Sequence, residues 1–522
     1  MQRKRRDLTC VCERARSQSP HSTDAARSKR SARGTASKTG PREGGQEGGY
    51  VTTGSEQESA ESAGEATQGA DAHSQRDWSW AEASIWTERM SCRRRALSAR
   101  PALVNGVVVS KTRLRRDGGK WYSLMDKVYA PKTLAVAWTK VRANKGAAGV
   151  DGQSTGRFAA KADLYLSELS AALREGKYQP QAVKRVDIPK GDGRTRPLGI
   201  PTVKDRVVQQ AVRLAIEPIF ESRFCDGSYG FRPGRGCHGA LREVDRLIKD
   251  GYTYVVDADL QSYFDTIPHD RLMARVEERV SDGRVLDLIR GWLKADILKG
   301  LERWTPTQGS PQGAVISPLL ANIYLHSLDA LMADRGYRMV RYADDFVILC
   351  RTREEADAAL VEVRAWVSGS GLTLHPSKTH VGGRVEDARF QHDRKPREGF
   401  EFLGYRFEAG KRLVRKKSLD KLKDSIRAKT RRTCGQGLAR VIADLNPMLR
   451  GWFGYFKHAY PTTFGDIDKM IRRRLRSLLM KQHKRSHVGF SLDVHKRWPN
   501  AFFADHGLFA LHTAWAAARQ SR

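Results

Sequence analysis

Apolar and polar positions divide the 522-residue chain into stretches of different kinds. From residue 1 to about 77 large apolar side chains are scarce and Gly, Ser, Glu and Arg abound, the composition of a tail that buries no core. Helical periodicity begins after Trp78. "PKTLAVAWTKVRANKG" (131–146) reads as a helix ending at Gly146. "KDRVVQQAVRLAIEPIFESRF" (204–224) is a stronger one, with apolar residues at 207, 208, 211, 212, 214, 215 and 219. "YTYVVDADL" (252–260) is β-branched and aromatic, the signature of a strand. "PLLANIYLHSLDALMADRG" (318–336) reads as a helix stopped by Gly336, and "REEADAALVEVRAWVSGSG" as another. Between them, "MVRYADDFVILC" (339–350) reads as two short strands flanking Ala343-Asp344-Asp345, a β-hairpin with acids at its turn. After about residue 411 the pattern is helical and very basic. No internal repeat is found. The fold class expected is α+β in the middle of the chain, followed by a cationic helical region.

Charge narrows the function. Lys and Arg number 93 against 59 Asp and Glu, a formal +34 spread along the chain. Such a field repels itself in a compact fold unless an anionic partner screens it, and nucleic acid is the commonest such partner. Seven cysteines lie scattered at Cys10, Cys12, Cys92, Cys225, Cys237, Cys350 and Cys434, with no C-x-x-C pair; this points to a reducing compartment and to no structural zinc. No run of 18 apolar residues exists, so no membrane span is expected. The N-terminus is charged without an apolar segment, unlike a secretory signal; its Arg- and Ser-rich, acid-poor start also suits an organellar transit peptide.

The acids of the strands carry the chemistry. Asp344 and Asp345 repel each other, and a strand core has no use for them. "VVDADLQSYFD" offers Asp257, Asp259 and Asp265, with 257 and 259 on one face by the period of two. A third carboxylate meeting a hairpin pair suggests a divalent-cation site, and oxygen-only ligands favour Mg²⁺ or Mn²⁺. Two such ions roughly 4 Å apart activate a hydroxyl and steady a leaving phosphate. Two surface acids in a turn remain the alternative, and spacing does not choose between Asp257 and Asp259. His483 and His487 in "HKRSH" have metal-binding spacing on a helix, but no acid or thiol nearby completes a site, and they read as an exposed basic face.

The order of segments resembles the reverse transcriptases encoded by group II introns, the intron maturases. "IPKGDGRTRPLGIPTVKDRVVQ" and "SYGFRPGRGCHGAL" are similar to their fingers, "DADLQSYFDTIPH" to the first catalytic strand, and "TQGSPQGAVISPLLANIYL" to the segment gripping template and nucleotide. "RYADDFVIL" resembles the active-site hairpin, "LTLHPSKT" the motif after it, "FEFLGYRF" the primer grip and "LNPMLRGWFGYFKH" the maturase region. The resemblance implies a right-hand polymerase: fingers and palm over about 121–410, then a helical thumb and maturase region over 411–485. Residues 78–120 stay unassigned and 486–522 form a C-terminal extension.

Carried over position by position, the resemblance selects Asp259, five residues before Phe264, as the first catalytic acid. Asp257 and Asp265 then take structural roles. Asp259, Asp344 and Asp345 would hold two Mg²⁺ ions. Phe264 would lie under the sugar, where a 2′-hydroxyl clashes; this also argues against an RNA-making polymerase. Lys190 and Arg196 would hold the incoming triphosphate, Gln312 would touch the nascent base pair, and Lys378 would protonate the leaving pyrophosphate. Arg472, Arg473, Arg474 and Arg476 would contact RNA phosphates, with Trp452, Phe453 and Tyr455 in the thumb core. Several family members carry a C-terminal endonuclease with paired Cys and His; no cysteine follows Cys434, so that domain is expected to be absent.

The expected partners are intron RNA, an RNA template with a DNA primer, dNTPs and target DNA. The expected setting is a bacterial cytoplasmic ribonucleoprotein, with an organelle as the alternative. The rival function is an RNA-binding splicing maturase whose polymerase site is idle.

Overall fold

A computed structural model describes residues 119–189, 193, 195–376, 379–382, 399–408, 410–484 and 491–520. The expected tail, nearly all of the 78–120 extension, Lys190, Lys378 and His487 lie outside the described residues.

Alternation along the strands decides how the central sheet is covered. Its strands are β3 (Tyr254–Asp259), β6 (Arg338–Tyr342), β7 (Asp345–Cys350) and β8 (His380–Gly382), in the order β6-β7-β3-β8, with every neighbouring pair antiparallel. Val256 and Ala258 of β3 with Phe346, Ile348 and Cys350 of β7 enter one core cluster, with the helices Ser317–Asp334 and Arg353–Gly369. Val255 of β3 with Val347 and Leu349 of β7 enter a second cluster, with the helix Cys237–Lys249 and the C-terminal helices. Both faces are therefore buried along most of their length. Asp257, Asp259 and Asp345 share the second face by the same period of two.

Two further sheets flank it in sequence. Strands β1 (Val183–Pro189), β2 (Thr195–Ile200), β4 (Ile297–Lys299) and β5 (Glu302–Trp304) are ordered β2-β1-β4-β5. Strands β9 (Gly399–Phe402), β10 (Tyr405–Glu408) and β11 (Lys411–Val414) form an antiparallel meander. The helix Val203–Glu221, capped by Thr202, whose side chain accepts from the Asp205 amide, is buried on nearly every side and packs on the helix Pro131–Ala143. From Lys416 onward the described residues are helical, in Lys416–Lys429, Leu438–Phe456 and Thr462–Gln482 and then three shorter helices.

The α+β class and the antiparallel hairpin agree with the pattern read from the chain, while the sheet β2-β1-β4-β5 is mixed, with β1 and β4 parallel. Two details differ. Lys411–Val414 is a strand, because Arg412 and Lys411 hold register with Phe407 and Glu408 of β10. Asp345 is not in the hairpin turn; it opens β7, opposite Tyr342, leaving Ala343 and Asp344 as the turn.

Candidate active site

The register builds the site. Asp259 ends β3 directly opposite Asp345, which begins β7, so both side chains leave the sheet on one face at one end. Asp344 occupies the adjoining turn, after Ala343 at φ +61°. A left-handed conformation is strained for a residue with a Cβ, and packing holds it here. Gly230 is pressed against the turn so closely that a Cβ on it would sit 2.2 Å from the Ala343 nitrogen.

Electrostatics mark these carboxyls. Burial pushes Asp344 up to about 6, Asp259 adds to the shift, and Arg196 and Arg341 oppose it. Burial, then the charges of Asp257, Asp344 and Asp259, hold Asp345 well above the usual carboxylate range. Asp257 is likewise pushed to about 6 by burial, with His380 opposing and Asp259 reinforcing. Oδ1 of Asp344 is buried and accepts no hydrogen bond. Such an oxygen is costly unless something cationic meets it. Among the described residues no three acid, His or Cys side chains are drawn close enough to hold an ion as they stand. The all-oxygen donor set, the orphaned Asp344 oxygen and the mutual repulsion fit a hard divalent cation nonetheless.

Neighbouring segments converge on these acids. The amide of His375, in "LTLHPSKT", donates to the Asp259 carbonyl at 2.8 Å, and Gln261 donates to Thr373. Phe264 lies in the short helix Tyr263–Thr266, 8% exposed and packed edge-on to Phe231 with centroids 6.3 Å apart. Phe231 in turn packs on Tyr342 of the hairpin. Phe264 is thus a core aromatic at the site's border. Its carbonyl accepts from the Ser310 amide at 2.7 Å, tying it to "GSPQG". The Gln312 carbonyl accepts from Gly199 of β2 at 2.6 Å. Gly313, at φ +113°, passes so near β2 that a Cβ would lie 2.4 Å from the Gly199 carbonyl. Arg196, on β2 opposite Ile188, exerts its field on Asp344.

The basic helix requires a correction. Arg476 is buried, donating to the Trp498 carbonyl and Asn500 Oδ1, both at 2.9 Å, so it staples the C-terminal segment instead of facing RNA. Arg474 donates to Thr430 Oγ1 at 2.5 Å and to the carbonyls of Arg427 and Thr430, closing the end of the helix Lys416–Lys429. Arg472 is half-buried and Arg473 exposed. Tyr455 is buried, and Trp452 and Phe453 pack on Phe456 and Phe464, so these aromatics belong to the core of the C-terminal helices. His483 packs on Trp498.

The most consequential group that sequence reasoning missed is Arg341, completely buried one residue before Tyr342. A charged residue inside an otherwise apolar strand was the available signal.

The reverse transcriptase (RNA-dependent DNA polymerase) family matches residues 188–407, and the group II intron maturase-specific domain matches residues 419–498. Protein YkfC of Escherichia coli is 37% identical over 337 residues, covering 56% of this chain and 84% of its own length. The group II intron-encoded protein LtrA of Lactococcus lactis is 38% identical over 202 residues, 38% of this chain and 33% of LtrA; the chain thus spans about a third of that longer relative. Among solved structures, a chain of the partial Cas6-RT-Cas1–Cas2 complex matches at 24% identity and a TM-score of 0.31, covering 49% of this chain and 43% of that one. The polymerase match followed by the maturase match, over the sheets and helices just described, means that the chain belongs to the group II intron reverse transcriptases, RNA-dependent DNA polymerases that carry a maturase-specific domain.

Proposed function

We propose that Asp259, Asp344 and Asp345 form the polymerising site of this reverse transcriptase and that two Mg²⁺ ions are its cofactors. The observation that carries this is the pairing of Asp259 with Asp345, beside the orphaned Oδ1 of Asp344. When bound, the ions supply charge neutralisation and activation of the attacking oxygen. The reaction is attack of a primer 3′-hydroxyl on the α-phosphate of a dNTP, with pyrophosphate leaving. Arg196, aided by Lys190, holds the triphosphate, a task suited to the guanidinium's planar fork. Phe264 stands under the sugar and excludes a 2′-hydroxyl. Gln312, anchored through its backbone to β2, supports the nascent base pair. Lys378 delivers a proton to the departing pyrophosphate.

Residues 121–410 serve as fingers and palm, and 411–485 as a thumb that also grips intron RNA for splicing and mobility into target DNA. The setting is a bacterial ribonucleoprotein; no helix among the described residues is long and apolar enough to cross a membrane. The test is Mg²⁺-dependent primer extension on an RNA template by the wild type and Asp344→Asn. Near-normal extension by the variant sinks this assignment and favours a splicing maturase with an idle site.

A further inference from the structure

The guanidinium of Arg341 is buried and uses all five of its N–H donors. Nε and Nη2 clasp the two carboxyl oxygens of Asp329, on the helix Ser317–Asp334. Nη1 donates to Asn322 Oδ1 at 3.0 Å and to the Ala343 carbonyl at 2.9 Å. Nη2 also donates to Ser228 Oγ at 2.9 Å. The backbone repeats the pattern: Arg341 N donates to Gly227 O and Tyr229 N to Arg341 O, both at 2.8 Å. Asn322 Nδ2 closes the ring by donating to Gly230 O, and Gly230 is the residue pressed on the turn.

One branch ends directly on the turn that presents the acids, at Ala343 O, and a second reaches it through Asn322 and Gly230; the others tie Arg341 to Asp329 and Ser228. The Ala343 carbonyl belongs to the peptide bond joining Ala343 to Asp344, and Ala343 carries the positive φ. A strained turn holds its shape only where surrounding structure over-determines it. Burial works against the Arg341 charge, but the attraction of Asp329 outweighs it and the guanidinium is held above its ordinary range. The cation is therefore permanent and committed to its partners.

We propose that Arg341, clamped by Asp329, Asn322 and Ser228, is a positioning residue that fixes the Ala343–Asp344 peptide and so sets Asp344 against Asp259 for metal binding. This rests on the proposed polymerising site. It deepens that reading by assigning the geometry of the acids to a buried fork-shaped clamp. A lysine keeps the charge but has one nitrogen and no planar fork, so it cannot span Asp329 and the turn carbonyl together.

The experiment uses the full chain and compares Arg341→Lys, Ser228→Ala and Asn322→Ala with the wild type and Asp344→Asn. The readouts are the thermal midpoint, kcat at saturating dNTP, KM for dNTP, the Mg²⁺ concentration giving half-maximal extension, and hydrogen exchange of the 338–350 peptide without metal. Arg341→Lys is expected to lower kcat and raise the Mg²⁺ midpoint by about tenfold to a hundredfold, the scale of lost support to a metal ligand. KM for dNTP should change by less than about twofold, because Arg341 touches no triphosphate-binding residue. Exchange in 338–350 should accelerate more than elsewhere. Ser228→Ala removes one acceptor, and Asn322→Ala removes one acceptor together with the donor to Gly230 O. Both should shift the Mg²⁺ midpoint the same way by a smaller factor, and Ser228→Ala, the milder change, decides the matter if Arg341→Lys does not fold. Unchanged Mg²⁺ midpoints and exchange in the folded variants overturn the proposal. So does a loss of kcat that only follows the thermal midpoint and returns on cooling. If Asp344→Asn extends normally, the polymerising-site reading has failed; if it is dead while the clamp variants are normal, only this inference has failed.

Discussion

Asp345 stands directly across the sheet from Asp259. Facing carboxylates repel, and without a cation between them burial adds to the penalty. This pair and Asp344 form a place where the folded protein stores unfavourable charge, and stability and function should respond to it in opposite directions.

Asp344→Asn should abolish extension and stabilise the metal-free protein. The folded carboxyl titrates near 6, above its ordinary value of 3.8, because it is buried beside Asp259. Between those values the folded state binds more protons than the unfolded one, so this group's contribution to stability is present below about pH 4 and lost as pH rises through about 6. The neutral amide avoids that loss, worth on the order of 2–3 kcal/mol at pH 7. In EDTA, thermal midpoints of variant and wild type should coincide near pH 4 and separate by pH 7, the variant higher. Extension should fall at least about a hundredfold. A wild type that is the more stable at pH 7 would contradict the account.

Phe264→Ala should admit ribonucleotides, and its burial against Tyr263 and Phe231 brings a cavity cost of about 3–5 kcal/mol. Phe264→Val opens less space and is the better-behaved probe. Competition between dNTP and rNTP at matched fraction folded checks this. An unchanged ratio in both variants places the sugar gate on another residue.

The hairpin and its facing strand were legible because both are short, mostly apolar runs in which the charged residues are acids at or near their ends and, in β6, arginine. Alternation could not place Asp345 within the strand, because an acid at a strand end and one in a turn look alike in sequence. Arg341 was illegible as a clamp: Ser228 lies 113 residues away, and Asp329, 12 residues away, sits on another element. Lys411–Val414 was hidden as a strand by its leading Lys-Arg pair, whose partners are set by β10. The phase of the basic helix, by contrast, could have been used. Ile471 and Leu475 are buried, and Arg473 lies roughly 160–200° from both, whereas Arg472, Arg474 and Arg476 flank the apolar stripe.

Gly313→Ala should disturb the loop that packs on β2 without touching an acid. At φ +113°, with 2.4 Å between the added Cβ and the Gly199 carbonyl, β2 or the loop must shift. The shift would strain the Gly199–Gln312 backbone bond that joins them. The expected cost is about 1–3 kcal/mol of local strain, with extension reduced and KM for dNTP raised. Steady-state kinetics with a fixed primer–template measure it, and wild-type KM would show that the segment tolerates the shift.

Within the basic helix, Arg473 and Arg476 should behave oppositely. Arg473 is exposed on the helix Thr462–Gln482. Arg473→Ala should leave the thermal midpoint nearly unchanged, weaken intron RNA binding, and reduce the slope of log affinity against log salt by about 0.7–1. Arg476 is inside, bonded to Trp498 O and Asn500 Oδ1 and lying over the Phe503 ring at 5.3 Å. Arg476→Ala leaves those acceptors without their donor and should destabilise the C-terminal region by roughly 2–3 kcal/mol. Its RNA affinity, measured on the folded fraction, should keep the wild-type salt slope. Asp344→Asn should retain tight RNA binding while making no cDNA, because its charge lies in the turn between β6 and β7 and not on this helix. Salt titrations of intron RNA binding for the three variants, beside their melting curves, decide the issue. Equal loss of salt slope in Arg473→Ala and Arg476→Ala would mean that the buried arginine reaches RNA after all, and that the C-terminal helices rearrange to expose it.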